Sequence, residues 1–189
     1  MFRKRWRPEK TDDEPARPIK DPAAARDRTM NRAFRLLAAK PRSVEELRER
    51  LLEKNWTNLE IVTGVIEKLK EYGYLDDEKF AGDLALSKLR QKPQGKRRLQ
   101  QTLSQKKLSK ENVEAAIESA FEKLPEAELI DAAIEKRLRL KGFPETREDT
   151  KKFYDHLLRR GFQYELIRSK MAEAAKRPLP GDDDEDQLQ

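Results

Sequence analysis

The residues whose types and spacing suggest chemistry are basic, and they concentrate in one stretch of the chain. No Asp or Glu occurs between Leu84 and Lys110. The basic residues of this stretch are Lys88, Arg90, Lys92, Lys96, Arg97, Arg98, Lys106, Lys107 and Lys110. Clustered positive side chains bind phosphates and carboxylates through charge-assisted hydrogen bonds. The stretch therefore indicates an anionic partner, although the net charge of the whole chain is only +6.

Three of these cations stand where a helix is expected to begin. Residues 96–98, Lys-Arg-Arg, follow Gly95 directly. The helix dipole disfavours positive charge in a first turn by a few tenths to about 1 kcal/mol per residue. A helix N-terminus also offers free backbone N–H groups, and Gly95 permits close approach of an anion. Folding alone does not account for this arrangement, whereas binding of an external anion does.

Residues suited to catalysis or metal binding are sparse by comparison. The chain has no Cys and one His, His156, which has no evident partner group and is interpreted as a structural or surface histidine. Adjacent Asp76 and Asp77 precede a predicted helix and are interpreted as capping residues. No cluster has the spacing of metal ligands, and the glycines form no nucleotide-binding loop. The sequence therefore indicates neither an enzyme nor a metal site.

The elements that would position the basic residues are helices. Apolar residues three and four positions apart predict helices almost throughout residues 28–176, and no strand pattern occurs. Leu47, Leu99 and Phe153 are 52 and then 54 residues apart. The same register relates Leu51, Leu103 and Leu157; Trp56, Leu108 and Phe162; Ile61, Val113 and Ile167; and Val65, Ile117 and Met171. Because such a period is typical of helical arrays, we predict an all-α, elongated array of three tandem three-helix repeats with about nine helices and disordered tails.

The register also predicts boundaries. The expected segments are a disordered tail at 1–27, repeats at 28–75, 76–124 and 125–176, and an acidic tail at 177–189. The second helix of each repeat is expected to begin at Ser43, Gly95 or Asp149, and the third at Thr57, Ser109 or Gln163. The large residue in the turn between them, Trp56, Leu108 or Phe162, is expected to wedge into the core of its repeat.

Aligning the repeats strengthens the case for an anion site. Residues 44–46 of the first repeat include two Glu, whereas 150–152 of the third are Thr-Lys-Lys. Basic residues thus occupy the predicted helix start in two of the three repeats. The predicted binding surface comprises Lys96, Arg97, Arg98, Lys151 and Lys152, with Lys88, Arg90 and Lys92 alongside.

The ends of the chain give two further expectations. The basic start has no apolar run behind it, and no window approaches the roughly 20 apolar residues of a membrane span. We therefore expect a cytoplasmic protein. The acidic run at 182–186 either folds back on the basic repeats and competes with DNA or serves as a solubilising tail.

Three segments resemble the RecX family of regulatory proteins. Residues 71–81, Glu-Tyr-Gly-Tyr-Leu-Asp-Asp-Glu-Lys-Phe-Ala, resemble its signature between the first two repeats. Lys92-Pro-Gln-Gly95, followed by Arg97-Arg98-Leu99 and Leu103, is similar to the basic stretch of its second repeat. Arg159-Arg-Gly-Phe162 with Glu165 and Ile167 is similar to its C-terminal repeat. The resemblance covers residues 28–176, and Asn55-Trp56 departs from it where a Lys-Gly turn is commoner.

The resemblance implies a regulator that binds the filament of the RecA recombinase. Such proteins lie in the filament groove, contact recombinase and DNA, and restrain ATP hydrolysis and strand exchange. They thereby affect homologous recombination, DNA repair and the SOS response. The resemblance further implies a protein with no catalytic residues and no cofactor, and we expect a monomer.

The residues by themselves leave a second function open. The tight turn inside each repeat is similar to a helix-turn-helix, which suits a sequence-tolerant protein that binds single- or double-stranded DNA without a recombinase. Such a protein would bind naked DNA with a steep dependence on salt.

Overall fold

The computed structural model describes residues 19–176, which contain nine helices and no strand. The helices are α1 (Pro22–Ala39), α2 (Val44–Leu52), α3 (Leu59–Glu71), α4 (Asp77–Gln91), α5 (Lys96–Ser104), α6 (Lys110–Lys123), α7 (Glu126–Lys141), α8 (Arg147–Arg159) and α9 (Tyr164–Ala174). They follow one another in three sets of three. The predicted all-α fold of three-helix repeats is confirmed.

Short polar side chains determine where several helices begin. The side chain of Ser43 accepts a hydrogen bond from the Glu46 backbone N–H at 3.2 Å, and that of Asp76 accepts one from Lys79 at 2.9 Å. Ser109 caps α6 in the same way. Each contact satisfies a backbone N–H that lacks a partner within the helix. The helix starts predicted at these three residues are confirmed.

Two predicted helix starts are wrong. The cap of α3 is Asn58 rather than Thr57, because the Asn58 side chain accepts the Ile61 N–H at 2.9 Å while the Thr57 hydroxyl bonds to Thr29. The cap of α8 is Thr146 rather than Asp149, so α8 begins almost one turn earlier than the repeat register implies.

The predicted N-terminal tail is also too long. Residues 22–27 belong to α1, because Asp21 caps the helix and Pro22 supplies a first residue whose φ is already helical. The remaining expectations for the tails concern residues 1–18 and 177–189, which lie outside the described residues.

The described residues divide into two compact units, with the boundary between Leu75 and Asp76. The described part of the first unit, α1–α3, surrounds a core in which Leu47, Leu51 and Ile66 are fully buried. In the second unit α4–α9 share a single core that includes Leu99 and Leu157. The second and third sets of helices are therefore packed around one continuous apolar cluster.

The large residues in the turns differ in burial. Phe162 is buried in the core of the second unit, and Leu108 packs against that core while half-buried. Trp56 is also only half-buried, and the ammonium of Lys54 lies 5.6 Å from its ring centroid. Of the three turn residues, Phe162 alone is fully buried in a core as predicted. No described helix has the length and apolar character needed to span a bilayer.

Candidate anion-binding surface of the second unit

The first part of the predicted surface lies at the end of α4. Lys88 and Arg90 occupy its last turn, and Lys92 is its C-cap with an extended backbone. Positive charge is favoured there because the helix dipole is negative at its C-terminus. Lys88 is half-buried, whereas Arg90 and Lys92 are exposed. The charge of this segment thus has a structural reason in addition to any binding role.

The second part is the first turn of α5, which is basic as predicted. Lys96, Arg97 and Arg98 are all exposed, and this turn contains no acidic residue. The Arg98 guanidinium donates to the side-chain oxygen of Gln101 at 2.8 Å. Within residues 19–176 none of the three side chains forms an ion pair with a carboxylate. Their positive charge therefore remains available to a partner.

The N-terminus of α5 is not open to an external anion as the sequence suggested. The Lys96 backbone N–H donates to the Oε1 atom of Glu126, the first residue of α7, at 3.0 Å. This carboxylate supplies the negative charge that the helix start prefers and that Gly95 cannot provide. The Lys96 N–H is therefore occupied within the chain, and the predicted contact with an external anion depends on the side chains of the turn.

The structural role of Gly95 differs from the predicted one, which was to let an anion approach the backbone. Its N–H donates to the Arg160 carbonyl at 3.0 Å, and a Cβ at Gly95 would collide with backbone atoms of Gly161 and Phe162. Gly161, which has a φ of +87°, packs equally closely against Arg98. Glycine is therefore required where α5 meets the α8–α9 turn, and close approach of an anion is not its reason.

This contact forms an open groove between α5 and α8. Arg97, Arg98 and Gln101 line one side, and Asp155, Leu158, Arg159 and Gly161 line the other. The groove has a volume of about 370 Å³. It brings Arg159, which the sequence did not single out as a binding residue, next to two predicted ones. Asp155 is the acidic residue in this lining.

The third part of the predicted surface comprises Lys151 and Lys152. It was predicted on the assumption that α8 begins at Asp149, which is incorrect. Because α8 begins at Arg147, Glu148 and Asp149 occupy its first turn and the two lysines follow them. Lys152 Nζ lies 2.8 Å from a Glu148 carboxylate oxygen and 3.9 Å from one of Asp149. Neither lysine lines the α5–α8 groove. The electrostatic argument for Lys151 and Lys152 therefore fails, and their binding role stays a prediction.

Sequence reasoning missed a second group of cations on α7 and α8. The guanidinium carbon of Arg137 lies 4.9 Å from the Phe153 ring centroid, and Arg160 donates to the Pro93 carbonyl at 3.4 Å. His156 lies on α8 between Phe153 and the C-cap Arg160, and burial lowers its pKa to about 4 with further contributions from Arg137, Arg160, Arg159 and Lys92. The imidazole is therefore neutral at pH 7. The pair Arg159-Arg160 was visible in the sequence, but Arg137 comes close only through folding.

Within residues 19–176 no group of three or more acidic or histidine side chains is arranged to hold a metal ion. Most polar groups of the described site are cations, beside the amide of Gln101, the neutral imidazole of His156 and the single carboxylate of Asp155. Such a set suits the binding of anions.

Three family models match the chain in order. They are described as the first, second and third three-helix domains of RecX and match residues 30–69, 76–117 and 125–171. Each match includes most of one set of three helices, α1–α3, α4–α6 and α7–α9 in turn.

Curated relatives carry the same description. "Regulatory protein RecX" of Prosthecochloris aestuarii is 34% identical over 146 residues, covering 77% of this chain and 93% of the relative. That of Chlorobaculum tepidum is 33% identical over 140 residues, covering 74% and 83%.

Solved structures show the same fold. The crystal structure of RecX from Lactobacillus salivarius has a TM-score of 0.71 at 21% identity, covering 81% of this chain and 98% of that one. A second structure, of regulatory protein RecX, has a TM-score of 0.63 at 22% identity, covering 78% and 73%.

Proposed function

The chain belongs to the RecX family of regulatory proteins, and on that basis we propose that it binds the RecA recombinase filament and restrains its ATPase and strand exchange. It does so as a cytoplasmic monomer, without a catalytic step and without a cofactor. Homologous recombination and DNA repair are the processes that this activity would limit.

The observation that carries the proposal is the exposed basic surface at the end of α4 and the start of α5. Arg90, Lys92 and residues 96–98 are exposed there, and no acidic residue interrupts the chain between them. A recombinase filament on DNA presents phosphates at regular intervals, and cations that neutralise phosphates release counterions and gain affinity. The surface supplies several exposed cations on consecutive elements, which suits a partner with repeated negative charges.

Repetition supports a filament rather than a single small ligand. Three related sets of helices can each contact a polymer whose subunits repeat, and contacts made by one chain add through effective concentration. Modest individual contacts then suffice for binding. This reasoning favours a filament over an isolated anion.

The first prediction concerns the α5 turn. Arg97→Glu combined with Arg98→Glu should weaken binding to assembled filaments by at least about tenfold, because two attractive charges become repulsive. Helix α5 should persist, since Glu suits a first turn better than Arg. Co-sedimentation with RecA filaments on single-stranded DNA measures binding, inhibition of ATP hydrolysis measures function, and circular dichroism checks the fold.

The matched control is Lys123→Glu combined with Lys136→Glu, which makes the same change of charge at exposed positions of α6 and α7 outside the groove. Equal loss in both double variants would mean that only total charge matters, and the surface would not be the site. Retention of full inhibition by the α5 variant would have the same consequence.

A comparison of bare with recombinase-coated DNA distinguishes the proposed function from DNA binding without a recombinase. A protein that acts without a recombinase binds bare and recombinase-coated DNA equally at the same salt concentration. Its affinity falls with a log–log slope of about −0.9 per phosphate neutralised on duplex DNA. Preferential sedimentation with coated DNA is the expected result, and equal binding to both would overturn the proposed function.

A further inference from the structure

Four side chains that can carry positive charge meet in the second unit, away from the first turn of α5. Lys92 is the C-cap of α4, Arg137 lies in α7, His156 lies in α8, and Arg160 is the C-cap of α8. Each of the other three influences the charge of His156. Three separate elements thus converge on one imidazole.

The arginines of this cluster lack partners for buried hydrogen-bond donors. The Nε atoms of Arg137 and Arg160 are both inaccessible to solvent and have no acceptor among the described residues. Arg160 has one acceptor elsewhere on its guanidinium, the Pro93 carbonyl at 3.4 Å, and Arg137 stacks on Phe153. Buried hydrogen-bond donors in proteins normally have an acceptor, so each of these unpaired Nε atoms requires an explanation. The two guanidinium groups therefore keep hydrogen-bonding capacity that the described residues do not use.

Electrostatics point the same way. Burial lowers the pKa of Arg160, and the charge of Arg137 lowers it further. No carboxylate contributes to the depressed pKa of His156, whose charged neighbours are Arg137, Arg160, Arg159 and Lys92. The cluster is therefore a region of mutual repulsion within a folded unit. Arg137, His156 and Arg160 are each half-buried, and an anion bound to their accessible side would reduce the repulsion.

We propose that Lys92, Arg137, His156 and Arg160 form a binding site for a phosphate group of nucleic acid. Planar guanidinium groups bind phosphate oxygens through paired N–H donors, and a neutral imidazole adds another donor. The site rests on the proposed function and deepens it, because it names where DNA within a filament touches the second unit.

Continuity with the groove favours nucleic acid over a lone anion or an acidic peptide. Arg159 lies beside His156 and also lines the α5–α8 groove opposite Arg97 and Arg98. The cations thus continue from the cluster into the groove. A nucleic-acid backbone carries successive phosphates at short, regular spacing and can follow such a series.

The single histidine makes the site directly observable. NMR titration of the His156 imidazole reports its pKa without interference, because no other His exists in the chain. A short oligothymidylate should raise that pKa from about 4 toward the ordinary value of histidine. Inorganic phosphate at the same phosphate concentration should have a smaller effect, since it lacks the additional contacts of the groove. An unchanged pKa in saturating oligonucleotide, or a response to inorganic phosphate alone, would overturn the assignment.

Binding by variants gives a second readout. Arg137→Gln should reduce oligonucleotide affinity about tenfold and lower the salt slope by about one phosphate. Lys136→Gln is the control, because it removes the same charge from the neighbouring exposed position of α7. Equal losses in the two variants would reject a specific site. Thermal unfolding of both variants identifies any loss that comes from the fold.

These measurements contain no recombinase and are therefore independent of the filament assay. A normal His156 response together with failed filament binding would reject only the proposed function. If the chain binds filaments normally but the pKa of His156 does not change with oligonucleotide, only the phosphate site is rejected.

Discussion

At the scale of single residues, the same charged side chain has different meanings in different surroundings. Lys152 is paired with Glu148 one turn earlier in α8, whereas Arg97 has no carboxylate partner within the described chain. Both looked alike in the repeat alignment. Whether a basic residue is free depends on where its helix begins and on what folds against it. Exposed ion pairs contribute little to stability, so the distinction matters chiefly for binding.

His156 provides a prediction that depends on pH. Its pKa is lowered from 6.5 to about 4 in the folded chain, because burial and four nearby cations oppose its protonation. Above pH 6.5 the imidazole is neutral in both the folded and the unfolded chain, so it does not affect stability. Between pH 6.5 and about 4 the unfolded chain binds a proton that the folded chain does not, and the free energy of unfolding falls. Below about 4 the loss is complete, and partial exposure keeps it smaller than the pKa difference alone implies.

Urea unfolding of the normal chain and of His156→Gln at pH 7 and pH 4.5 measures this effect. Carboxylates titrate in both proteins, so the difference between the two proteins isolates the histidine. The normal chain should lose stability relative to the variant on acidification. A difference that is the same at both pH values would contradict the depressed pKa.

At the scale of helices, local signals in the sequence were sufficient where caps and apolar spacing agreed. Ser43 and Asp76 were identified as caps from residue type and position alone, and both accept the expected backbone N–H. The start of α8 was missed because the repeat register was extended to Asp149. Thr146 and Asp149 in fact form a reciprocal cap, in which Thr146 also donates to the Asp149 carboxylate at 2.7 Å. The capping residues of α8 are therefore visible in the sequence itself, and they predict the start of α8 better than the repeat register does.

Contacts distant in sequence could not be predicted in this way. The Glu126 carboxylate that satisfies α5 lies 30 residues from Lys96, and Gly161 lies against Gly95 only in the folded chain. Neither pairing leaves a pattern in one sequence. The basic surface could therefore be predicted by residue, but its helix N-terminus and its glycine were misinterpreted, and the Arg137 cluster was missed.

The glycines allow a matched test of the α5 contact. Gly95→Ala should destabilise the chain by about 1–3 kcal/mol, because its Cβ meets backbone that must shift. Gly82→Ala, inside α4 with no atom near its Cβ, should instead stabilise the chain by about 0.5–1 kcal/mol through helix propensity. Urea unfolding of both variants measures the two signs. A neutral or stabilising Gly95→Ala would show that α5 does not depend on this approach.

At the scale of the whole molecule, similar repeats are built into unequal units. The first set of helices has a core of its own, whereas the second and third sets share one. In arrays where each repeat contacts only its neighbours, single repeats can unfold separately. A core that two sets of helices share makes separate unfolding of either set less favourable. The groove and the Arg137 cluster both draw residues from α8 and from the α4–α5 region. Their geometry therefore depends on the two sets of helices remaining packed together.

Buried leucines test this dependence. Leu157→Ala in α8 and Leu47→Ala in α2 each truncate a fully buried leucine, and each should cost about 2–5 kcal/mol. Because the core of the second unit is continuous, Leu157→Ala should speed amide hydrogen exchange throughout α4–α9 while leaving α1–α3 protected. Leu47→Ala should do the reverse. Exchange that accelerates only in α7–α9 of the Leu157 variant would show that the third set opens alone, and the binding surface could then lose its α8 side without losing α5.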